Sequence, residues 1–361
     1  MKILLWPTLF FPNIGGLEKM VHSLAVSLCK KDHEVIVLSN SEKKEKLIID
    51  GISVFTFPLI SSLFSYRLPL IREILEDISK LLETFAPDIV NIHGWFEAFA
   101  FFQVRALKKS NVPVCLTVHR LLEQEHYQTE NCVKLWQRAQ AVSTISYAIV
   151  PDVPHPFLQT IYNGLPLSNT PLTPLCKNEL LLVGRLTEEK CFHITFHSVK
   201  LLLPKHPNLR LTLIGDGPEY DMLWELKQSL DIPIKMPGFI PPEGVKDFID
   251  RSTLVLVPSY YESFSLVALE AALRGRPVVA SRVLGLKEVV EEGKTGLLVE
   301  PQNPIALAAA IDTLLSNPLQ MEQMGKAAFE RASHLFNIET TTNNYLRMYE
   351  QSIDLCNHSC L

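Results

Sequence analysis

Apolar and polar positions along the chain alternate between two patterns. Short runs that are apolar on both faces, KILLW (2–6), HEVIVLS (33–39), DIVNI (88–92), VPVCLTV (112–118) and AVSTIS (141–146), read as buried strands. A strand covered by helices on both sides loses the in-and-out alternation of a half-exposed one. Between them, LEKMVHSLAVSLCKK (17–31), LPLIREILEDISKLLETF (68–85) and FEAFAFFQVRALKKS (96–110) carry apolar residues at helical spacing. This alternation predicts an α/β domain with a parallel, doubly wound sheet. LPLSNTPLTPLCKN (165–178) then brings three prolines and no periodicity, the composition of a linker. The first pattern restarts with ELLLVG (179–184), LRLTLIG (209–215), STLVLVP (252–258) and RPVVAS (276–281). Two facing Rossmann-like domains are expected, 1–164 and 179–337, each opening with a strand, a glycine-containing turn and a helix. A ligand is then expected in the cleft at the carboxyl ends of the strands.

One window, YESFSLVALE (261–270), sets two carboxylates eight positions apart in apolar surroundings. An unpaired buried carboxylate costs several kcal/mol, on the order given by mutational data, so each must be exposed, paired or ligand-directed. STLVLVP reads as a strand, and Ser263 or Ser265 as the N-cap of the helix that follows. The amides near Phe264, Ser265 and Leu266 are then orphan donors at a helix N-terminus, a natural anion site. Glu262 would repel a bare phosphate there and suits hydroxyl groups on something attached to the phosphate. Glu270, about a turn and a half into the helix, suits a vicinal diol such as ribose through charge-assisted bonds. Both residues equally fit ordinary roles, since the helix dipole favours Glu near N-termini and a Glu in an alanine-rich helix commonly faces solvent.

The other strand ends carry the same double reading. Arg185 and Lys190 flank the turn after LLVG (181–184), where they would hold an anion or stand as solvated charges beside Glu188 and Glu189. Gly15 and Gly16 permit close approach of a phosphate to the backbone, or simply make a tight turn. His93 and His119 end DIVNI and VPVCLTV, as ligand contacts or as satisfied structural histidines. His193 and His197 have a zinc-compatible spacing, but two ligands without a third read as helix surface. No Asp-x-Asp pair is present to hold a divalent cation against a diphosphate, so no metal and no other cofactor is expected.

Composition narrows the classes. A chain of 361 residues, 47% hydrophobic and 20% charged, is long enough for two cores. A net charge of -5 argues against nucleic acid as a partner. Seven cysteines, an odd number without a C-x-x-C pair, fit reduced thiols and a cytoplasmic location. MKILLWPTLFFP (1–12) lacks a cleavage-site pattern and reads as a first buried strand. No window approaches the roughly 18 apolar residues of a membrane span. Phe64, Tyr66 and Arg67 within FPLISSLFSYRLPLIREIL (57–75), and Lys108 and Lys109 after AFFQVRA, read either as a peripheral contact with the cytoplasmic membrane face or as edges of an apolar core.

PSYYESFSLVALEAALRGRPVVAS (258–281) resembles the E-x7-E block of retaining family 4 glycosyltransferases, which have the GT-B fold. Seven further blocks resemble that family in its order: GGLEKMVHSLAVSL (15–28), LTVHR (116–120), IYNG (161–164), LLVGRLTEEK (181–190), LIGDGPE (213–219), KMPGFI (235–240) and EVVEEGKTGLLVEPQNPIALAAAI (288–311). The resemblance implies transfer of a sugar, with retention, from a nucleotide-diphosphate sugar as co-substrate to a hydroxyl of a glycan or lipid-linked acceptor. It assigns Glu262 to sugar hydroxyls, the amides of Phe264 to Leu266 to the diphosphate and Glu270 to the ribose. Gly15, Gly16, Gly184, Arg185 and Lys190 join the donor site, with the two cations at the leaving group. His119 matches the histidine that approaches the donor sugar, and His93 is a candidate acceptor or sugar contact. The helical tail, about 338–355, is expected to cross back onto the first domain. Three departures stand out: Asn91 where a histidine is usual, Cys191 where glycine is usual, and VLGLKE (283–288) where paired glycines are usual. A nucleotide-sugar epimerase, a phosphorylase and a non-catalytic sugar-binding protein remain as alternatives.

Overall fold

The computed structural model describes residues 1–13, 15–65, 67–120, 128–167, 172–175 and 178–359. Strands form where the runs apolar on both faces stand, and the chain divides into two units, Met1–Pro166 with Ile338–Leu361, and Leu167–Asn337.

In the first unit, the strands are β1 (Lys2–Pro7), β2 (Glu34–Asn40), β3 (Glu45–Ile49), β4 (Ile52–Phe57), β5 (Ile89–His93), β6 (Val114–Val118), β7 (Ala141–Thr144) and β8 (Leu158–Thr160). They lie in the order β3-β4-β2-β1-β5-β6-β7-β8. Only β3 runs antiparallel, turning into β4 through Asp50 and Gly51, whose φ angles of 48° and 81° are those of a tight hairpin turn. The helix Leu68–Phe85 buries Ile71, Ile74, Ile78, Leu82 and Phe85, one stripe at helical spacing. It stops at Ala86, in the left-handed region, just before Pro87.

One sheet face is covered by two helices that come from far apart in sequence. Met20 and Leu24 of Gly16–Cys29, and Tyr345, Met348 and Tyr349 of Ile338–Ser359, pack with Ile3, Leu5, Val35, Val37, Ile89 and Cys115. Toward the carboxyl edge this face turns polar. The Asn91 amide donates to Tyr349 Oη at 2.7 Å. Thr117 Oγ1 donates to Asn91 Oδ1 at 3.1 Å and lies 2.9 Å from Ser143 Oγ. Asn91 is therefore fully buried with both ends of its amide occupied, so the departure from histidine there serves the packing of the last helix.

In the second unit, β9 (Glu179–Val183), β10 (Arg210–Ile214), β11 (Ile234–Gly238), β12 (Leu254–Val257), β13 (Val278–Ser281) and β14 (Gly296–Val299) form a wholly parallel sheet. Its order is β11-β10-β9-β12-β13-β14. The described part of the proline-rich stretch is tied to this unit. The fully buried Arg276 guanidinium donates to the carbonyls of Thr173, at 2.9 Å, and Pro174, at 3.2 Å. Cys29, Cys115, Cys132, Cys191 and Cys356 are free thiols, while Cys176 and Cys360 lie outside the described residues. No described helix is long and apolar enough to cross a membrane.

Candidate active site

The second unit brings its candidate residues together at the carboxyl ends of β9 and β12. After β9 the chain turns at Gly184, passes Arg185 and makes a short 3-10 turn, Glu188–Lys190. After β12 it runs through Pro258–Tyr261 to Glu262 and enters the helix Leu266–Ala272. The Tyr260 amide donates to the Glu189 carbonyl at 3.0 Å and joins the two loops. Across the junction Lys190 Nζ reaches Glu262 Oε1 at 2.7 Å, with 22% and 12% of the two side chains exposed. Ser259 Oγ donates to the same oxygen at 3.2 Å. The pair solves a problem that the sequence poses. Glu262 alone would repel an anion at the neighbouring amides, and Lys190 cancels its charge. Among the described residues Arg185 is exposed and makes no ion pair.

The helix entry is strained. Ser265 has φ 77° and ψ 92°, a region that non-glycine residues seldom occupy, and its hydroxyl accepts the Ala268 amide as an N-cap. Phe264 is buried edge-on against Phe336, with ring centroids 5.4 Å apart. Leu266, Val267 and Glu270 are half-buried, while Ala268, Leu269, Ala271 and Ala272 are buried. Glu270 thus lies one turn beyond Leu266 on the more open face, rather than among core residues as its sequence neighbours suggest.

Backbone close approach holds the β9 loop in place. A Cβ on Gly215 would overlap the Gly184 carbonyl, and one on Gly217 would overlap the backbone of Leu186. The Leu186 amide donates to the Asp216 carbonyl at 2.9 Å and its carbonyl accepts from Glu219 at 3.0 Å. From the other side, a Cβ on Gly285 would overlap the Glu262 carbonyl. Of the glycine pair usual at this point, Gly285 is the one the geometry requires, and Leu284 beside it is exposed. Cys191 keeps the turn of the glycine it replaces, with φ 50° and ψ 37°. Its thiol is buried, and burial pushes it up. Cys191→Gly is expected to be more stable than Cys191→Ala by about 1 kcal/mol, because only the alanine keeps the left-handed strain. Equal denaturation midpoints would show that this strain is absent.

In the first unit, Gly15 and Gly16 open the helix Gly16–Cys29, but the space over Gly15 is filled. The Glu18 carboxylate folds back so closely that a Cβ on Gly15 would overlap it. Burial raises its pKa. An anion already sits at this helix start, the usual service of a Glu at the third helical position, so a phosphate there would have to displace it.

His93 and His119 meet, with His93 Nδ1 at 3.0 Å from His119 Nε2. His119 is half-buried, and desolvation pushes it down to about 3. His93 is fully buried, and burial holds it well below the usual imidazole range, with His119 adding to the effect. Its side chain has no exposed surface through which to reach an acceptor or sugar. The sequence placed both histidines at strand ends but did not reveal that Tyr345 of the last helix packs over His93, ring centroids 6.0 Å apart. Lys190 with Glu262, and Ser259 with Glu262, were likewise missed as pairs. Among the described residues no group of three His, Cys, Asp or Glu side chains is placed to hold a metal.

Two family matches run end to end through this architecture. The family described as Glycosyltransferase Family 4 matches residues 14–168, and Glycosyl transferases group 1 matches residues 169–331. The chain belongs to this glycosyltransferase family and has the GT-B fold. It is 25% identical to a glycogen synthase of Mycobacterium tuberculosis, over 93% of this chain and 91% of that one. Over 45% of this chain and 40% of the other it is 36% identical to a D-inositol 3-phosphate glycosyltransferase of Corynebacterium diphtheriae. Among solved structures, HepE of Anabaena in complex with UDP and glucose superposes with a TM-score of 0.77 at 23% identity, covering 97% of this chain and 99% of that one. A sucrose-phosphate synthase from Thermosynechococcus elongatus gives 0.78 at 20% identity, with the same coverage.

Proposed function

We propose that this glycosyltransferase takes its sugar from a nucleotide-diphosphate donor and transfers it, with retention, to a hydroxyl of a glycan or lipid-linked acceptor without a metal. The observation that carries the reading is the Lys190–Glu262 pair beside the strained helix entry at Ser265. A cation for the leaving diphosphate and a carboxylate for sugar hydroxyls then stand within one hydrogen bond of each other. HepE, described with UDP and with UDP-glucose, supports a uridine nucleotide as the first donor to try.

In this reaction the bond from the anomeric carbon to the diphosphate breaks, and the diphosphate leaves with the electron pair. The acceptor oxygen bonds to that carbon from the same face, and its proton passes to a departing phosphate oxygen. Arg185 and Lys190 stabilise the charge that grows on the diphosphate, and Glu262 holds the sugar still. Glu270 binds the ribose, and His119 orients the sugar. Retention of Gly285 and of the Cys191 turn geometry favours transfer over a decayed, non-catalytic protein.

Phe64 and Leu68 are 78% and 74% exposed next to an exposed Arg67, which supports peripheral contact with a membrane carrying a lipid acceptor. Tyr66, expected to join them, lies outside the described residues. The test is a screen of nucleotide sugars for thermal stabilisation and donor turnover, run with and without anionic lipid vesicles. Stabilisation by about 2–4 °C with slow donor hydrolysis is expected for the cognate donor. Stabilisation by none of them would sink the donor reading, and no co-sedimentation at low salt would remove the membrane contact.

A further inference from the structure

Burial removes His93 from any ligand, and the question becomes what an uncharged, inaccessible imidazole does beside one that is half-exposed. The contact between His93 Nδ1 and His119 Nε2 at 3.0 Å needs one hydrogen, since a neutral imidazole carries one N–H and one bare nitrogen. Either ring could supply it. If His119 donated from Nε2, the hydrogen of His93 would have to sit on its own Nε2. That atom is buried and has no hydrogen-bond partner, and an N–H buried without an acceptor is the rarer and costlier kind of defect. If His93 donates from Nδ1, only a bare nitrogen is left unpartnered, and His119 must then carry its hydrogen on Nδ1.

We infer that His93 is a positioning residue: it donates Nδ1–H to His119 Nε2, fixes the ring, and leaves His119 with an Nδ1–H that can only donate. The inference rests on the proposed role of His119 at the donor sugar and deepens it. His119 would then give a hydrogen bond to a sugar oxygen and take no proton from the acceptor, in keeping with deprotonation by the leaving diphosphate. The neighbours of His93 keep it neutral. Register sets it beside Thr117 of β6, whose hydroxyl meets Ser143, and Tyr345 covers it from the last helix. Burial pushes the phenol of Tyr345 up to about 12, so it too is uncharged. None of these groups supplies a charge to ionise His93.

The direct measurement is the tautomer of His119 in the uniformly 15N-labelled, full-length protein, read from two-bond nitrogen–proton correlations between about pH 5 and about pH 8. The Nδ1–H form, unchanged across that range, is expected. An Nε2–H form, or protonation within the range, would overturn the inference. This arm involves no turnover, so it stands even if no nucleotide sugar reacts, an outcome that counts against the function alone. For the second arm, His93→Leu removes the donor and is expected to lower kcat roughly tenfold or more with donor KM little changed. His93→Asn, whose amide N–H falls near the lost Nδ1–H, is expected to recover most of it and to keep the His119 tautomer. Unchanged kcat in His93→Leu, or a His93→Asn protein that folds but matches His93→Leu in both kcat and tautomer, would refute the positioning role.

Discussion

Lys190→Ala and Glu262→Ala are expected to abolish most transfer while moving nucleotide-diphosphate affinity in opposite directions. In the proposed reaction Lys190→Ala removes a donor from the leaving group, a loss worth roughly 10²–10³ in kcat by analogy with other preorganised donors. It also strands the Glu262 carboxylate, only 12% exposed, beside the amides proposed to bind phosphate. Nucleotide-diphosphate binding should therefore weaken by about tenfold or more. Glu262→Ala removes the proposed sugar contact but frees the Lys190 ammonium. Nucleotide-diphosphate binding should hold or tighten, while kcat falls by about two orders of magnitude. The double variant should bind the nucleotide diphosphate better than Lys190→Ala alone, because the stranded carboxylate is gone. Calorimetry with the nucleotide diphosphate and initial rates with the cognate donor give the comparison. Equal loss of affinity in both single variants would dismiss the pair as the organising feature, and full activity in either would dismiss the site.

The largest effect on stability is expected at Gly215, 47 residues from Glu262 in sequence and in direct contact with Gly184, which begins the loop that carries Lys190. Its φ of 145° is unfavourable for any side chain, and a Cβ there would overlap the Gly184 carbonyl oxygen and come within 2.9 Å of its carbon. Both neighbours are backbone, so no rotamer change can make room. Gly215→Ala is expected to cost about 3–5 kcal/mol, a fall in Tm on the order of 10 °C for a unit of this size. Gly293→Ala is the control. Gly293 also has positive φ, 73°, but nothing lies within 4 Å of its Cβ position, so only the conformational cost of about 1 kcal/mol remains. Similar melting temperatures for the two variants would mean that the close approach of the two glycine turns does not hold. In Gly215→Ala the turn carrying Arg185 also shifts, and activity should fall below what the lost stability alone explains.

The central strands were legible because each is buried on both faces and so appears as a continuous apolar run. β1, β2, β5, β6 and β7 of the first unit, and β9, β10, β12 and β13 of the second, all lie within one or two residues of the stretches that predicted them. The strands left unread are at or near the edges. EKLII of β3 is mostly exposed, β4 beside it is buried at alternate positions over most of its length, β8 has three residues, β11 includes Pro237, and β14 has four residues. Asp50–Gly51 was an available signal for the β3–β4 hairpin, since that dipeptide between apolar runs favours the turn found there.

The site was readable in residue type but not in pairing. Lys190 and Glu262 are 72 residues apart, and nothing in either local pattern indicates that a salt bridge joins them. His93 ends β5 and His119 directly follows β6, two strands that pair, so their proximity follows from topology. The burial of His93 does not, because the covering Tyr345 comes from a helix more than two hundred residues later. Glu18 shows the opposite limit: a glycine pair before a helix is open to a phosphate only if no side chain of that helix turns back over it.

The helix Ile338–Ser359 has a consequence for how the chain comes to be folded. The first unit takes this helix as one wall of its core, with Tyr345 and Tyr349 buried and Asn91 bonded to Tyr349. On the ribosome, residues 338–359 emerge only after the whole second unit has been made. Domains ordinarily fold in order of synthesis, but here the N-terminal one must wait with a strip of its sheet bare. The tract that fills the strip also supplies Tyr345, which covers His93. Completion of the first unit's histidine pair therefore follows synthesis of the whole second unit rather than preceding it, and a chain stalled before residue 338 would carry an intact Lys190–Glu262 pair and an unfinished first unit.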